Sequence, residues 1–168
     1  MITDLVEIKR AGEKMRGENE KLRQHMKIHG TNDKKLRLIA EGIEDQINCL
    51  ECANCCRVAT VTLQERDVEK LARFFRLPVS KFKKEYTEVS AEEGLILRRS
   101  DERGCTFLSG NECLVYEARP STCVDFPHMQ RGQGSLVSRM WQFIDRACYC
   151  PIVFNSMEAF KLETKFRK

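Results

Sequence analysis

The sequence predicts an α+β fold, mainly helical, in which an N-terminal helical extension precedes a small cysteine-rich domain of loops and hairpin elements. Three observations lead there. Apolar residues recur at helical spacing through the first 47 positions. All nine cysteines fall between positions 49 and 150. The spacers between the later cysteines are short and rich in turn-forming residues. A chain of 168 residues suits one such domain with an appendage. The expected division is residues 1–46 for the extension, 47–151 for the cysteine domain and 152–168 for a C-terminal helix and tail.

Residues 2–29 read as a helix, because Leu5, Ile8, Met15, Leu22 and Met26 recur at helical spacing among good helix formers. Ile8, Met15 and Leu22 are seven apart, which also makes this face a candidate dimer seam. Gly30 is a stop, and Asn32 or Asp33 caps a second helix. That helix carries the stripe Leu36, Ile39, Ile43 and Ile47, which is expected to pack against the cysteine domain. Thr62-Leu-Gln-Glu65 has the form of a capping box. The helix behind it shows Val68, Leu71, Phe74 and Phe75, and ends at Pro78. Ser80 is expected to cap a short helix through Phe82 and Tyr86. Residues 95–99 read as a strand, and the segments around Cys105 and Cys113 as a hairpin-like loop about Ser-Gly-Asn-Glu. Pro120 sets Cys123 on a defined turn. Gly132 and Gly134 suggest a turn, Val137 to Ala147 a helix, and the final dozen residues a helix with a frayed tail.

The composition excludes several classes. No apolar run approaches ~18 residues, so no membrane span is expected. The first ten residues carry acids among their apolar positions, unlike a signal peptide, and the chain is expected to be cytoplasmic. There structural disulfides are disfavoured. The formal charge of +4 does not make a nucleic-acid binder, since the basic residues are interleaved with acids. Eight thiolates on two divalent ions would add −8 + 4 = −4 and bring the sum to about neutral.

The run Cys49-Leu-Glu-Cys52-Ala-Asn-Cys55-Cys56 puts four thiols within eight positions. Sulfur is soft, binds zinc at ~2.3 Å, and is held deprotonated by the metal. Two cysteines separated by two residues can turn both sulfurs toward one ion. Cys55 and Cys56 are adjacent and diverge, so one of them is left for a second centre or for packing. A continuous helix would put Cys49, Cys52 and Cys56 on one face; a ferredoxin-like loop would instead group Cys49, Cys52 and Cys55. Both readings imply a metal-stabilised domain.

Four segments in order then carry a resemblance. They are Cys49-x-x-Cys52-x-x-Cys55-Cys56, Cys105-Thr-Phe-Leu, Cys113-Leu-Val-Tyr-Glu-Ala-Arg119-Pro120-Ser-Thr-Cys123-Val-Asp-Phe126-Pro127, and Cys150-Pro151. The chain resembles the YkgJ-like cysteine-cluster family of zinc- or iron-chelating domains over roughly residues 47–151. The resemblance implies eight metal ligands: Cys49, Cys52, Cys55, Cys56, Cys105, Cys113, Cys123 and Cys150. The chain departs from the family at Val124, where a basic residue is usual, and at the doublet Cys148-Tyr149-Cys150. Cys148 is therefore an accessory candidate, as is His128 beside the Phe-Pro pair.

Other side chains read two ways. Arg119 and Glu117 either form an ion pair offsetting thiolate charge, or Arg119 is an exposed residue before a turn proline. His25 and His29, four apart, have metal-binding spacing, and they also sit where a helix C-terminus favours cations. The function expected is chelation of zinc or an iron–sulfur cluster by clustered thiolates. The alternative is an iron–sulfur redox protein, an electron-transfer protein or a protein-modifying enzyme; some flagellin lysine methylases carry related clusters. No nucleophile–base pair or cofactor loop marks a catalytic residue, and no small-molecule substrate is assignable. A protein partner would dock on the N-terminal helices.

Overall fold

The computed structural model describes residues 1–30, 33–131 and 134–166 of the chain. Asn32 as a cap, Gly132 as a turn residue, and the terminal Arg167 and Lys168 lie outside the described residues. In chain order the helices are α1 (Leu5–His29), α2 (Asp33–Glu44), α3 (Cys49–Cys52), α4 (Asn54–Val58), α5 (Glu65–Phe74), α6 (Val79–Tyr86), α7 (Ser121–Asp125), α8 (Leu136–Arg146) and α9 (Pro151–Glu163). The strands are β1 (Thr87–Ser90), β2 (Gly94–Leu97), β3 (Arg99–Ser100), β4 (Gly104–Cys105), β5 (Leu108–Ser109) and β6 (Glu112–Cys113), with a 3₁₀ turn at Tyr116–Ala118. The fold is mixed α+β and mainly helical, as the sequence predicts. No helix among the described residues is long and apolar enough to cross a membrane.

The chain divides into two compact units. One joins residues 1–48 to residues 127–168; the other is residues 49–126.

In the helical unit α1 starts at Asp4, whose Oδ1 accepts from the Glu7 amide at 2.8 Å. Ile8, Leu22 and Met26 are buried on one face of α1, which packs on α8 and α9. The face expected as a dimer seam is thus used inside the unit. Gly12 permits the closest approach: a Cβ there would stand 2.5 Å from the Ala147 carbonyl oxygen and 2.6 Å from Cys148 Cα. Helix α9 begins with Pro151 in its first turn, where no amide donor is needed. It is buried from Pro151 through Met157, and α2 packs on it with Leu36 and Ala40 inside. Lys161 is buried too, donating to Glu18 Oε1 at 2.8 Å and Asn19 Oδ1 at 3.1 Å, with Glu158 also paired to it. A buried ammonium needs such partners because desolvation disfavours its charged form.

The cysteine unit has its own core: Val61, Val68, Leu71, Phe82, Leu97 and Phe107 are among its buried residues. Phe75 stacks on Tyr86 and Phe107 at centroid distances of 5.2 and 5.3 Å, within the range of offset aromatic pairs. Strands β1 and β2 pair antiparallel with Thr87 opposite Leu97 and Ser90 opposite Gly94.

Two helix starts differ from the sequence reading. The capping box of α5 is formed by Gln64 and Asp67, whose Oδ2 accepts from the Gln64 amide at 3.0 Å. Thr62 is unavailable as the cap because it bridges Ile96, and Leu63 N donates to Leu95 O. Helix α6 begins at Val79 behind Pro78, one residue before the expected Ser80 cap is passed. The strand expected over 95–99 is also interrupted. Arg98 leaves the ladder, its amide donating to Tyr86 O and its Nε to Thr87 O. Its partner strand β1 carries no sequence signal beyond four residues of weak alternation.

Candidate metal centre

The first cluster folds as neither of the two expected forms. Residues 49–58 make two short helical turns, α3 and α4, separated by Ala53 in the left-handed region at φ 46°. Such a conformation costs a non-glycine residue roughly 1 kcal/mol, so tertiary contacts hold it. Ala53 is itself buried, and its carbonyl accepts from the Cys56 amide at 3.1 Å. The break removes the helical phase that would put Cys49 and Cys56 on a common face.

Arg57 and Asn111 fix this segment. The Arg57 guanidinium donates to Cys52 O at 3.1 Å, to Gly110 O at 2.9 Å and to Asn111 Oδ1. Asn111 Nδ2 donates to Glu51 O at 2.7 Å. The β5–β6 hairpin, which ends in Cys113, is therefore tied to the turns that carry Cys52 and Cys56. Arg99 ties the β3–β4 hairpin in the same way, donating to Val58 O and Arg57 O, both at 3.0 Å. Gly104, with φ 77°, lies so close that a Cβ there would stand 2.6 Å from both Arg57 Cα and Cys56 O. Cys105, the next residue, is thereby set beside Cys56.

Cys123 arrives by a third route. Asp67 is buried and accepts from the Ser121 amide at 2.9 Å and the Ser121 hydroxyl at 3.1 Å. The Thr122 hydroxyl donates to Thr62 O at 3.1 Å, and Lys70 Nζ donates to Arg119 O at 3.3 Å. Pro120 stands at the start of α7, which carries Cys123. These bonds anchor both sides of the loop to α5 and to Thr62 in the segment before it.

Four thiols delivered by four elements consequently share one electrostatic environment. Cys55 is hydrogen-bonded to Cys56 and, with help from the charges of Arg57 and Arg119, lowers the Cys56 thiol to about 7 against the effect of burial. Burial raises Cys105 and Cys113, and the neighbouring Cys56 adds to both shifts. Burial pushes Cys123 up to about 12, with Cys105, Cys56 and Cys113 contributing and Arg119 opposing. Cys105, Cys113 and Cys123 also pack against the aromatic core. Arg119 is half-buried with its guanidinium 3.7 Å from the Tyr116 ring centroid, and Nε donates to Tyr116 O. No ion pair joins it to Glu117 among the described residues.

The donor set fits a soft metal: thiols surrounded by arginine cations that offset thiolate charge. The geometry is open, since no three His, Cys, Asp or Glu side chains among the described residues are gathered as a metal-holding group. Cys52 and Cys55 are half-buried and Cys49 is exposed at the entrance to this segment. Cys148 and Cys150 belong to the helical unit. Cys148 is buried there, with its thiol 3.7 Å from Ile144 O and raised to about 11 by burial. Cys150 is the N-cap of α9. His128 also belongs to that unit, has φ 66°, and its carbonyl accepts from Arg139 at 2.6 Å.

The family model CxxCxxCC, described as "Putative zinc- or iron-chelating domain", matches residues 48–151. The chain belongs to the CxxCxxCC family. The match spans well over half of the chain and contains all nine cysteines. None of the curated proteins and none of the solved structures compared matches the chain. Within the CxxCxxCC segment, the residues that the motif does not announce are Arg57, Arg99, Asp67, Gly104 and Asn111. Only proximity marks them in sequence: Arg57 follows Cys56, and Gly104 precedes Cys105.

Proposed function

We propose that the cysteine unit is a thiolate metal centre whose metal completes its fold, with Cys56, Cys105, Cys113 and Cys123 as the central ligands and Cys49, Cys52 and Cys55 as those of the adjoining turns. The observation that supports this reading is that the hairpins carrying Cys105 and Cys113 are tied to the α4 segment that carries Cys56, through Gly104, Arg99, Arg57 and Asn111, while Cys105, Cys113 and Cys123 pack against one core. Bound zinc or iron would hold these thiolates deprotonated and cross-link four segments that share few long elements; structural zinc sites contribute about 10 kcal/mol or more. The chain's own residues do the rest. Asp67 holds the Cys123 loop, Arg99 and Gly104 hold the Cys105 hairpin, and Arg57 with Asn111 holds the Cys113 hairpin. Arg57 and Arg119 offset the excess negative charge of a four-thiolate site, −4 + 2 = −2 for a divalent ion. Nine cysteines in a chain of this length suit a reducing compartment, and we read the protein as cytoplasmic.

Metal content per chain, measured with an absorption spectrum on protein purified without air, tests the reading. Wild type and Cys148→Ser should carry the same metal, whereas Cys123→Ser should lose it. Full metal in Cys123→Ser would overturn the assignment. Iron with acid-labile sulfide and a band near ~400 nm identifies a cluster and directs the work to electron transfer. A colourless zinc protein identifies a structural module and directs it to a protein partner.

A further inference from the structure

The two histidines near the end of α1 take no part in the thiolate centre. His25 and His29 are both exposed, stand one turn apart on α1, and have ring centroids 4.5 Å apart. The Phe166 ring lies edge-on to His25 at 5.4 Å, which covers one side of that imidazole. Residues four apart on a helix lie on the same face, one above the other.

The spacing agrees with that of two ligands on one ion. With a metal–nitrogen bond of about 2.0 Å and a ring centroid about 1.1 Å beyond the nitrogen, two imidazoles at right angles about a metal have centroids roughly 4.4 Å apart. The terminal torsion of histidine is broad and soft, so each ring can turn a nitrogen inward without leaving its rotamer. Right-angled imidazole ligation suits square-planar or octahedral ions, and affinity for such ligands rises toward nickel and copper. We propose that His25 and His29 form a surface site for a late first-row divalent cation of the Ni(II) or Cu(II) class, chemically separate from the thiolates. Two protein ligands leave the remaining positions to water, so the ion exchanges readily.

The test uses Ni(II) alone as the probe. Equilibrium dialysis of the full-length protein, as purified with its own metal, is compared for wild type, His25→Ala, His29→Ala and His128→Ala. The chain has three histidines, so His128→Ala serves as the control. The expected result is one weakly held Ni(II) per chain whose affinity falls at least tenfold in His25→Ala and in His29→Ala, and is unchanged in His128→Ala. Both rings are exposed, so neither substitution removes core packing, and circular dichroism verifies that α1 is retained. An affinity changed less than twofold by either substitution, or an equal loss in His128→Ala, would overturn the proposal.

Discussion

Replacing Gly104 with alanine separates two costs that are usually entangled. The residue has φ 77°, and an added Cβ would overlap Arg57 Cα and Cys56 O at 2.6 Å. The left-handed conformation alone costs about 1 kcal/mol for a residue with a side chain. The overlap is with backbone, which cannot swing aside as a side-chain tip can. Relieving it moves the β3–β4 hairpin away from α4, a strain of about 1–3 kcal/mol by comparison with overpacked cores. The sum is roughly 2–4 kcal/mol, a large share of a typical domain's stability. Gly110 supplies the matched control. It has φ 59° in the neighbouring hairpin, but its Cβ would meet nothing within 4 Å. Gly110→Ala should therefore cost only the conformational part, about 1 kcal/mol. At about 2–4 °C per kcal/mol for a chain of this size, Gly104→Ala should melt roughly 4–16 °C below wild type and Gly110→Ala roughly 2–4 °C below. Thermal unfolding followed by circular dichroism, at equal metal loading, reads the difference. Equal melting temperatures for the two variants would refute the argument that close backbone approach positions Cys105.

Two other perturbations probe the same unit. Asp67→Ala should leave the Ser121 amide and hydroxyl and the Gln64 amide without their acceptor, a loss of about 2–4 kcal/mol; a denaturant midpoint within error of wild type would show that another group takes the role. At about pH 7.5 iodoacetamide should label Cys56, Cys105, Cys113 and Cys123 slowly in the protein as purified with its metal and rapidly once a chelator is added, as read by peptide mass spectrometry. Equal labelling rates before and after chelation would contradict the assignment of these thiols as ligands.

Much of the helical architecture was legible because it rests on local repetition. The apolar face of α1 follows directly from residue order. The α2 stripe expected to meet the cysteine domain instead packs on α9 through Leu36 and Ala40, and Pro151, which the sequence marks only as part of the Cys-Pro segment, opens α9. The cap of α5 was not legible, because Thr62 satisfies the local pattern and is claimed by a long-range bridge to Ile96. Strand β1 was missed for a similar reason: Thr87–Ser90 is extended by its pairing with Gly94–Leu97 rather than by its own composition. At the site, the cysteines stood out by rarity and spacing. The left-handed Ala53 did not, since nothing local favours that conformation in alanine. The arginines were equally silent: among so many exposed Lys and Arg residues, sequence cannot single out Arg57 and Arg99, whose roles come from carbonyls contributed by other segments. The clustering of residues 127–168 with residues 1–48 is likewise non-local.

That discontinuous helical unit has a consequence for biosynthesis. The cysteine unit, residues 49–126, is made in one continuous stretch, whereas the first helical segment must await residues made after it. If the thiols bind a metal as proposed, on a growing chain they can recruit it while Ile8, Leu22 and Met26 still lack α8 and α9 to cover them. Metal supply during translation would then govern the earlier step of maturation, and the helical unit would close last. Starving cells of the metal should therefore leave nascent chains arrested at an early, protease-sensitive stage.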